Sequence, residues 1–275
     1  MNRYNCFDVI FNNHIAQIIL NKPEKRNSMT TEFPEIISKI NEDGDIRVII
    51  LSSTGPHFCS GLDLSLFQSD LLKINQEQHS KPILLTNYIE ILQKALNILQ
   101  DSRIPIIAAI QGACIGGGLD LVCASDIRLG TIDCHFSILE TKLGLVADIG
   151  TFPRLVKLIP DGLVRELAFT GRNFNSEEAK LSGFLNNVYP NQKNMLKAAF
   201  ELAKQISANS PTVVYGCKEA IKFSRDHTTE EGLNWIKMWN SSMFNMTEIE
   251  EAFKAKIEKR LGNFSKLPKK VTKIK

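Results

Sequence analysis

The chain has 275 residues, of which 43% are hydrophobic and 23% are charged, and its formal net charge at pH 7 is +3. This length and apolar share are enough for one main hydrophobic core with a smaller appendage. Lysines in the C-terminal stretch "SKLPKKVTKIK" supply much of the charge, and no nucleic-acid-binding signature accompanies them, so the composition argues against a nucleic-acid partner.

Cysteine and histidine spacing argues against a metal protein. The six cysteines have no paired spacing of the zinc type, and none of the five histidines lies four residues from another. We therefore expect free thiols in a reducing compartment and no metal site.

The sequence shows no membrane or targeting signal. No apolar run reaches the roughly 18 to 20 residues that span a bilayer, and the N-terminus has neither a secretory nor a transit-peptide layout. The tripeptide "SKL" at 265–267 is internal, where a receptor for the free C-terminus would miss it. We expect a cytoplasmic location, or a mitochondrial or peroxisomal one if the source is eukaryotic.

The first predicted elements alternate between strand and helix. Residues 6–20 indicate a hairpin that turns at Asn12 and Asn13, and residues 28–43 have helical apolar spacing with Pro34 near the first turn. Residues 46–53, "IRVIILSS", are a nearly continuous β-branched run, which is typical of a strand covered on both faces. A loop, "TGPHFCSGLDL", follows this strand.

The alternation continues through the middle of the chain. Residues 82–100 predict a long amphipathic helix with its apolar positions at Leu85, Ile89, Leu92, Leu96 and Leu99. A buried strand over 104–112 and a helix over 119–126 follow, and then short strand candidates at 127–131 and 134–138. This order predicts an α/β core with right-handed crossovers.

From about residue 190 the sequence predicts helices only. Helical apolar spacing is present over 190–210, 211–226 and 228–246. Two candidate capping boxes are Thr228-x-x-Glu231 and Thr247-x-x-Glu250. We divide the chain into a core over residues 1–195, which carries the site, and a helical region over residues 196–275.

The helical region concentrates large apolar side chains. They are Trp235, Met238, Trp239, Met243 and Phe244. Left alone they would expose a large apolar surface, so we expect the region to pack on the core or on another subunit. A private core formed by these helices is the alternative.

The stretch "GACIGGGLDL" at 112–121 is the first candidate for chemistry. Gly116, Gly117 and Gly118 permit backbone conformations and close approaches that a Cβ would forbid. A strand that ends at Ile110 and a helix that starts near Gly118 would leave unpaired N–H groups, which can hold a phosphate or a developing oxyanion. No "GK[ST]" and no G-x-S-x-G is present, which disfavours a P-loop and a serine hydrolase. A tight packing turn is the structural alternative.

Three acids follow this turn: Asp120, Glu140 and Asp148. Each has a structural alternative. In these alternatives, the negative charge of Asp120 only stabilises the first turn of its helix, Glu140 is a surface residue near Lys142, and Asp148 is an N-cap for a helix beginning near Gly150. Because the stretch around Glu140 and Asp148 is mostly apolar, we expect both to be partly desolvated, with carboxyl pKa values raised toward the range useful for proton transfer.

Five stretches, in this order along the chain, resemble the crotonase (enoyl-CoA hydratase/isomerase) superfamily. They are "IILNKPEKRNSMT", "FCSGLDL", "IQGACIGGGLDLVCASDIRLGT", "FSILETKLGLVADIGTFPRL" and "LAFTGRNFNSEEAKLSGFLNNVY". The resemblance covers nearly the whole chain. It implies an α/β fold, a crotonase-like spiral of ββα units with a helical C-terminal trimerisation region, and assembly as a homotrimer or a hexamer of two trimers. It also implies a coenzyme A thioester substrate and no separate cofactor.

The resemblance assigns the glycine turn to an oxyanion hole. The thioester oxygen would lie between the backbone N–H groups of Leu62 and Gly117. The coenzyme A portion would run past residues 59–63, which are Cys59, Ser60, Gly61, Leu62 and Asp63. Lys25 or Arg26 would lie near its phosphates.

The acids separate branches of the superfamily. Hydratases carry glutamates at the positions of Asp120 and Glu140 and usually glycine at the position of Asp148. The aspartate in "GGGLDL" and the third acid in "ADIGT" resemble dienoyl-CoA isomerases, in which Asp148 would remove a proton from C2 and Glu140 would deliver one at C6, with Asp120 as an auxiliary acid. The alternatives are an enoyl-CoA hydratase that uses Asp120 and Glu140, and a non-catalytic acyl-CoA-binding protein.

Overall fold

A computed structural model describes residues 2–4, 6–28, 33–61 and 80–270. Expectations that fall on the remaining residues, among them Leu62 and Asp63, lie outside the described part. Within that part, none of the helices combines the length and the apolar character needed to cross a bilayer.

In the described part of the chain, ten strands, numbered in chain order, form two sheets. The strands are β1 (Asn2–Arg3), β2 (Phe7–Asn12), β3 (Ile15–Leu20), β4 (Val48–Ser53), β5 (Ile106–Ile110), β6 (Ala113–Ile115), β7 (Ile127–Thr131), β8 (His135–Ser137), β9 (Phe174–Asn175) and β10 (Asn187–Tyr189). The main sheet has the order β1-β2-β3-β4-β5-β7-β10, and the small sheet has the order β6-β8-β9. In the main sheet β1 to β3 are antiparallel, and β3, β4, β5, β7 and β10 run parallel.

Local sequence explains both parts of the main sheet. Asn13 has a φ of 51°, a left-handed value that asparagine tolerates, and it closes the predicted hairpin between β2 and β3. Every residue of β4 and of β5 is buried, as expected for central parallel strands with both faces covered. The predicted α/β class is confirmed.

The helices, also numbered along the chain, are α1 (Phe33–Glu42), α2 (Lys81–Gln100), α3 (Gly117–Cys123), α4 (Thr151–Leu155), α5 (Asp161–Thr170), α6 (Ser176–Leu181), α7 (Gln192–Ser207), α8 (Pro211–Ser224), α9 (Thr229–Met243) and α10 (Met246–Ile257). Short 3₁₀ turns cover Pro23–Lys25 and Leu139–Leu143. Helices cover both faces of the main sheet. Met195, Ala199 and Ala203 of α7 pack on one face, and α1 and α2 pack on the other within the larger core.

Two details of the middle region differ from the sequence prediction. The extra strand β6 lies between the end of β5 and the glycine turn. It has only three residues, between Gly112 and Gly116, and so short a segment shows no periodicity in the sequence. In α2, only Leu96 and Leu99 of the five predicted apolar positions are buried. Ile83 and Ile91 of the same helix are 66% and 62% exposed, so the first half of α2 is not part of this chain's own core.

The helical C-terminal region is confirmed from α7 onward. Helix α7 spans residues on both sides of the predicted boundary at 195/196 and packs on the main sheet; the two-domain division stays a prediction. Trp239 contacts Tyr215 of α8 at 5.3 Å and stacks on Trp235 at 5.2 Å between ring centroids. These rings join α8 to α9, yet Met243 and Phe244 remain exposed.

The segment after α10 returns to the sheet. The Arg47 guanidinium, just before β4, donates to the carbonyls of Ser207 at 2.9 Å and Phe264 at 3.1 Å. The Leu267 N–H donates to the Gly44 carbonyl at 3.2 Å, and the Leu267 side chain is buried. A Cβ at Gly44 would lie 1.9 Å from the Leu267 carbonyl oxygen, so glycine is required for this contact.

Of the two predicted capping boxes, one is confirmed and one is wrong. Thr228 Oγ1 accepts the Glu231 N–H, and the Glu231 carboxylate accepts the Thr228 N–H. The second box fails because α10 begins earlier than expected. Its N-cap is Asn245, whose Oδ1 accepts the Thr247 N–H at 3.1 Å.

We expect Thr228→Ala to lower the free energy of unfolding by about 1 kcal/mol, because it removes the acceptor for an unpaired helix N–H. The matched change Thr247→Ala should cost much less, since Thr247 contributes no capping side chain. Urea denaturation followed by circular dichroism measures both, and equal losses would contradict this assignment of the caps.

Candidate active site

The glycine turn lies where β6 meets α3, and two of its glycines are required by geometry. Gly116 has a φ of 54°, which strains any residue with a Cβ, and a Cβ there would lie 3.2 Å from Glu140 Oε1. A Cβ at Gly118 would lie 2.5 Å from the Cys59 carbonyl oxygen. Because these two glycines have no Cβ, the Glu140 carboxyl group and the Cys59 backbone can approach the turn closely.

Gly117 presents its N–H at the start of α3. As the first helical residue it has no intrahelical acceptor, and its N–H has no backbone acceptor among the described residues. Gly61 lies against it, because a Cβ at Gly61 would be 3.1 Å from the Gly117 nitrogen. Leu62, the predicted second donor, follows Gly61 but lies outside the described residues, so the paired oxyanion hole stays a prediction.

Backbone hydrogen bonds hold the loop before Gly61 against β6. The N–H groups of Phe58 and Cys59 donate to the Ala113 carbonyl at 3.0 and 3.2 Å, and the Ile115 N–H donates to the Cys59 carbonyl at 3.0 Å. His57 adds a side-chain contact, since its Nδ1 accepts the Ala113 N–H at 3.2 Å. Residues 57–61 are thereby fixed beside the glycine turn.

The loop that carries Lys25 and Arg26 joins the same assembly. The Ser60 N–H donates to the Arg26 carbonyl at 3.0 Å. Buried Asn27 donates from Nδ2 to the carbonyls of Thr54 and His57 at 2.8 and 2.9 Å. Lys25 and Arg26 are exposed beside residues 59–61. Asn27 was missed from the sequence, where it is one polar residue of a loop with no periodicity to mark it.

Asp120 is the most enclosed of the three predicted acids. It lies in the first turn of α3, is 0% exposed, and accepts a hydrogen bond of 2.7 Å from the Thr151 hydroxyl on Oδ1. Burial raises the pKa of Asp120 to about 7, while Thr151 lowers it and the nearby Glu140 carboxylate raises it. Oδ2 is buried without a hydrogen-bond partner in the described part of the chain.

Glu140 lies in the 3₁₀ turn Leu139–Leu143 and faces the glycine turn. It is half-buried, and burial raises its pKa, with the charge of Asp148 acting in the same direction. The alternative of a surface residue near Lys142 is wrong, because Glu140 Oε1 reaches Gly116 while the Lys142 side chain packs on Gly171.

Asp148 precedes α4 and is the most open of the three acids. Its side chain is exposed in the single chain, yet surrounding protein still raises its pKa through burial. The expected desolvation is therefore weaker here than at Glu140. The N-cap alternative is wrong: Gly150 occupies the cap position, with a φ of 140° and no side-chain cap bond.

Arg154 fixes the segment between Asp148 and Thr151. Its guanidinium donates to Gln100 Oε1 at 2.8 Å, to Asn97 Oδ1 at 2.5 Å and to the Gly150 carbonyl at 3.2 Å, which ties α4 to α2. A cavity of about 330 Å³ lies between these helices, and Asp148 and Arg154 are part of its wall.

The turn and the three acids together suit proton transfer beside an anionic intermediate. A free N–H at a helix start stabilises developing negative charge, and carboxyl groups with raised pKa values exchange protons near neutral pH. No group of three His, Cys, Asp or Glu side chains among the described residues is arranged to hold a metal ion.

A family model described as Enoyl-CoA hydratase/isomerase matches residues 10–267. The chain belongs to this family. Family membership agrees with the resemblance seen in the sequence.

Named relatives within this family carry more than one activity. The Delta(3,5)-Delta(2,4)-dienoyl-CoA isomerase, mitochondrial, of Rattus norvegicus is 40% identical over 263 residues, which are 92% of this chain and 80% of that protein. The peroxisomal protein of the same name from Arabidopsis thaliana is 36% identical over 97% of this chain and 99% of its own length. Enoyl-CoA hydratase EchA19 of Mycobacterium tuberculosis is 31% identical over 91% of this chain and 93% of that protein.

Solved structures of the family have the same architecture. An enoyl-CoA hydratase from Bacillus anthracis superposes with a TM-score of 0.85 at 29% identity, and the match covers 94% of this chain and 99% of that chain. The predicted crotonase-like fold of the hydratase/isomerase family is confirmed.

We expect Asp120→Asn to become progressively more stabilising, relative to the parent protein, as pH rises from 4 to 7. The folded protein holds the Asp120 pKa above its unfolded value, so the stability that the protonated acid contributes is present below about pH 4 and is lost as pH rises through about 7. The difference between the two proteins should grow by about 2–4 kcal/mol across this window.

Chemical denaturation at a series of pH values measures this difference. Asp133→Asn, which removes an exposed carboxyl group outside the site, provides the matched control. A difference for Asp120→Asn that stays constant with pH would contradict the assignment of a buried acid that titrates near neutral pH.

Proposed function

We propose that this protein is an isomerase that converts 3,5-dienoyl-CoA into 2,4-dienoyl-CoA in the β-oxidation of unsaturated fatty acids. The observation that carries the proposal is the third acid. The charge of Asp148 raises the pKa of Glu140, and the charge of Glu140 raises the pKa of Asp120. Glu140 Oε1 also lies beside Gly116, which directly precedes Gly117. The relatives of 36–40% identity named for this isomerisation support the same activity.

The reaction needs a base and an acid at separate points. Asp148 as carboxylate removes a proton from C2 of the substrate, and the electron pair of that C–H bond moves into the conjugated system toward the thioester oxygen. Glu140 in its protonated form then delivers a proton to C6 as the double bonds shift. The substrate and product are isomers, and the exchange of one proton from Asp148 back to Glu140 restores the enzyme.

The N–H groups of Gly117 and Leu62 form the oxyanion hole of the proposal. The anion develops on the thioester oxygen between the two proton transfers, and the start of α3 places a partial positive charge there. The coenzyme A portion passes residues 59–63, and exposed Lys25 or Arg26 contacts its phosphates. The hydrogen bond from Ser60 to the Arg26 carbonyl supports this arrangement by joining the two loops.

We expect Asp148→Asn and Glu140→Gln to lower kcat for isomerisation by about 10²- to 10⁴-fold, because each removes one proton-transfer group. The measurement is the near-ultraviolet absorbance of a 3,5-dienoyl-CoA, in which conjugation of the double bonds with the thioester produces a new band. Asp133→Asn, an exposed acid outside the site, is the matched control and should keep full activity.

The same assay separates the alternatives. An enoyl-CoA hydratase would leave the 3,5-dienoyl-CoA spectrum unchanged, would consume 2-enoyl-CoA, and would retain most hydration in Asp148→Asn. A binding protein would bind the thioester without turnover of either substrate. Either result, with ligand binding verified, would contradict the proposed isomerase.

We also propose that the chain assembles as a homotrimer, alone or as a hexamer of two trimers. The support is a set of large apolar side chains that are exposed on α9, α10 and the segments beside them. They are Leu233, Ile236, Met238, Met243, Phe244, Met246, Phe253, Ile257 and Leu261. Apolar patches of this kind are typical of subunit interfaces. The cytoplasmic location stays a prediction, and two named relatives carry mitochondrial or peroxisomal labels.

We expect sedimentation velocity to give a trimer or hexamer, and we expect Leu233→Glu to shift the distribution toward monomer by placing a charge in the interface. Asn234→Glu adds the same charge at the next position of α9 and serves as the control for charge alone. A monomeric parent protein at micromolar concentration would contradict the proposed assembly.

A further inference from the structure

Asp148 lies on a segment without regular secondary structure. Residues 145–148 connect a 3₁₀ turn to α4, and the side chains of Leu145 and Val146 are exposed. In the described part of the chain, the N–H groups of residues 146–149 donate no hydrogen bond to a backbone carbonyl. A base that must stay within reach of its substrate therefore needs support from outside this segment.

One polar face of α2 provides this support. Gln93, Asn97 and Gln100 are spaced at i, i+4 and i+7, so their side chains lie along the same face of the helix. Gln93 Nε2 donates a hydrogen bond of 2.6 Å to the backbone carbonyl of Asp148. Asn97 and Gln100 accept hydrogen bonds of 2.5 and 2.8 Å from the Arg154 guanidinium. Side chains of α2 thus hold the segment both directly and through Arg154.

The two supports act at different points of the segment. Buried Arg154 donates to the Gly150 carbonyl at 3.2 Å, and a Cβ at Gly150 would lie 1.8 Å from Arg154 Nη1. This contact fixes the backbone two residues after Asp148. Among the described side chains, Gln93 is the one that donates to the backbone of Asp148 itself.

Packing does not replace the hydrogen bond from Gln93. A cavity of about 330 Å³ lies between α2 and the segment, and its wall includes Gln93, Asp148 and Arg154. Side chains that line a cavity lack van der Waals partners on that side. The position of Asp148 relative to α2 therefore depends on the hydrogen bond that crosses between them.

We propose that Gln93 is a positioning residue for Asp148, and that it fixes the backbone from which the Asp148 carboxylate reaches the substrate. The contact with the Asp148 carbonyl follows from the geometry of α2. Its use in catalysis rests on the proposed isomerisation, in which Asp148 removes the proton from C2. Gln93 acts through Asp148 and takes no part in the proton transfer.

The test compares Gln93→Met, which has a side chain of similar length and no donor, with Gln93→Lys, which keeps a donor. In Gln93→Met we expect kcat for isomerisation to fall about 10- to 100-fold, because a small displacement of a catalytic group has an effect of this size. KM should stay close to that of the parent protein, since the proposed coenzyme A contacts are elsewhere. Gln93→Lys should recover most of the lost kcat.

Lys94→Met is the matched control. It places the same methionine at the next position of α2, where the lysine side chain is 75% exposed and pairs only with Glu90 on the helix surface. Surface pairs of this kind contribute little to stability, so this variant should keep full activity.

A double-mutant cycle separates positioning from a general structural loss. In an Asp148→Asn background the base is already absent, so Gln93→Met should cause no further loss of kcat. The same fold-loss in both backgrounds would show that Gln93 acts independently of Asp148 and would overturn the inference.

NMR of the segment provides a readout that does not need turnover. The methyl group of Ala147, which directly precedes Asp148, reports backbone position and motion in protein labelled at alanine methyl groups, with the signal assigned through Ala147→Gly. In Gln93→Met we expect its chemical shift to move and its order parameter to fall. Gln93→Lys and Lys94→Met should retain the parental signal. A signal that is unchanged in both respects in Gln93→Met would overturn the inference.

Failure of the inference and failure of the proposed function are distinguishable. A changed Ala147 signal in a protein that does not isomerise 3,5-dienoyl-CoA would support the contact and overturn the proposed function. If Gln93→Met does not fold, Gln93→Asn takes its place in every measurement, because its amide is one methylene too short to keep the 2.6 Å contact.

Discussion

The backbone of residues 58–61 lies directly against the backbone of residues 113–118, and the rest of the site depends on this close approach. Three backbone hydrogen bonds join the segments, and at Gly118 a Cβ would lie 2.5 Å from the Cys59 carbonyl oxygen. Because the contact is made by main-chain atoms, the Gly117 N–H is set by the fold and needs no side chain to orient it. Donors held in this way stabilise an anion without reorganisation during the reaction.

The three acids differ in how far the fold removes each carboxyl group from water. Asp120 is enclosed, Glu140 is half-buried and Asp148 is open in the single chain. This gradient gives three chemically identical groups different tendencies to hold a proton. It also carries a cost in folding free energy, because an enclosed acid with a pKa of about 7 destabilises the folded chain whenever it is ionised.

The sequence predicts the parts of this molecule whose signals are local. Signals of only a few residues were enough to predict the strands β4 and β5, the Asn12-Asn13 turn and the Thr228 cap. Five ordered stretches, one of which contains the glycine cluster, were sufficient for the resemblance to the family. By contrast, β6 has only three residues and is defined by its partner β8, so periodicity could not reveal it.

The hydrogen bonds that hold the site in place could not be predicted from the sequence either. Thr151 and Asp120 are 31 residues apart, and Asn27 reaches carbonyls 27 and 30 residues away, so their roles exist only after the chain has folded. In α2 the helical pattern was correct, but it did not distinguish side chains buried in this chain from those left exposed by it. Local spacing identifies an apolar face, whereas its partner depends on tertiary packing.

The segment after α10 packs against the start of β4, and this contact constrains the order in which the chain can fold during synthesis. The Arg47 guanidinium donates hydrogen bonds to Ser207 and Phe264, which are 160 and 217 residues further along the chain. On the ribosome the chain is made from the N-terminus, so one side of the central sheet remains open during most of synthesis. The segment 264–267 is made late in synthesis and completes these contacts, so a chain that stalls before it would leave Arg47 and Gly44 without them and open to the quality-control machinery of the cell.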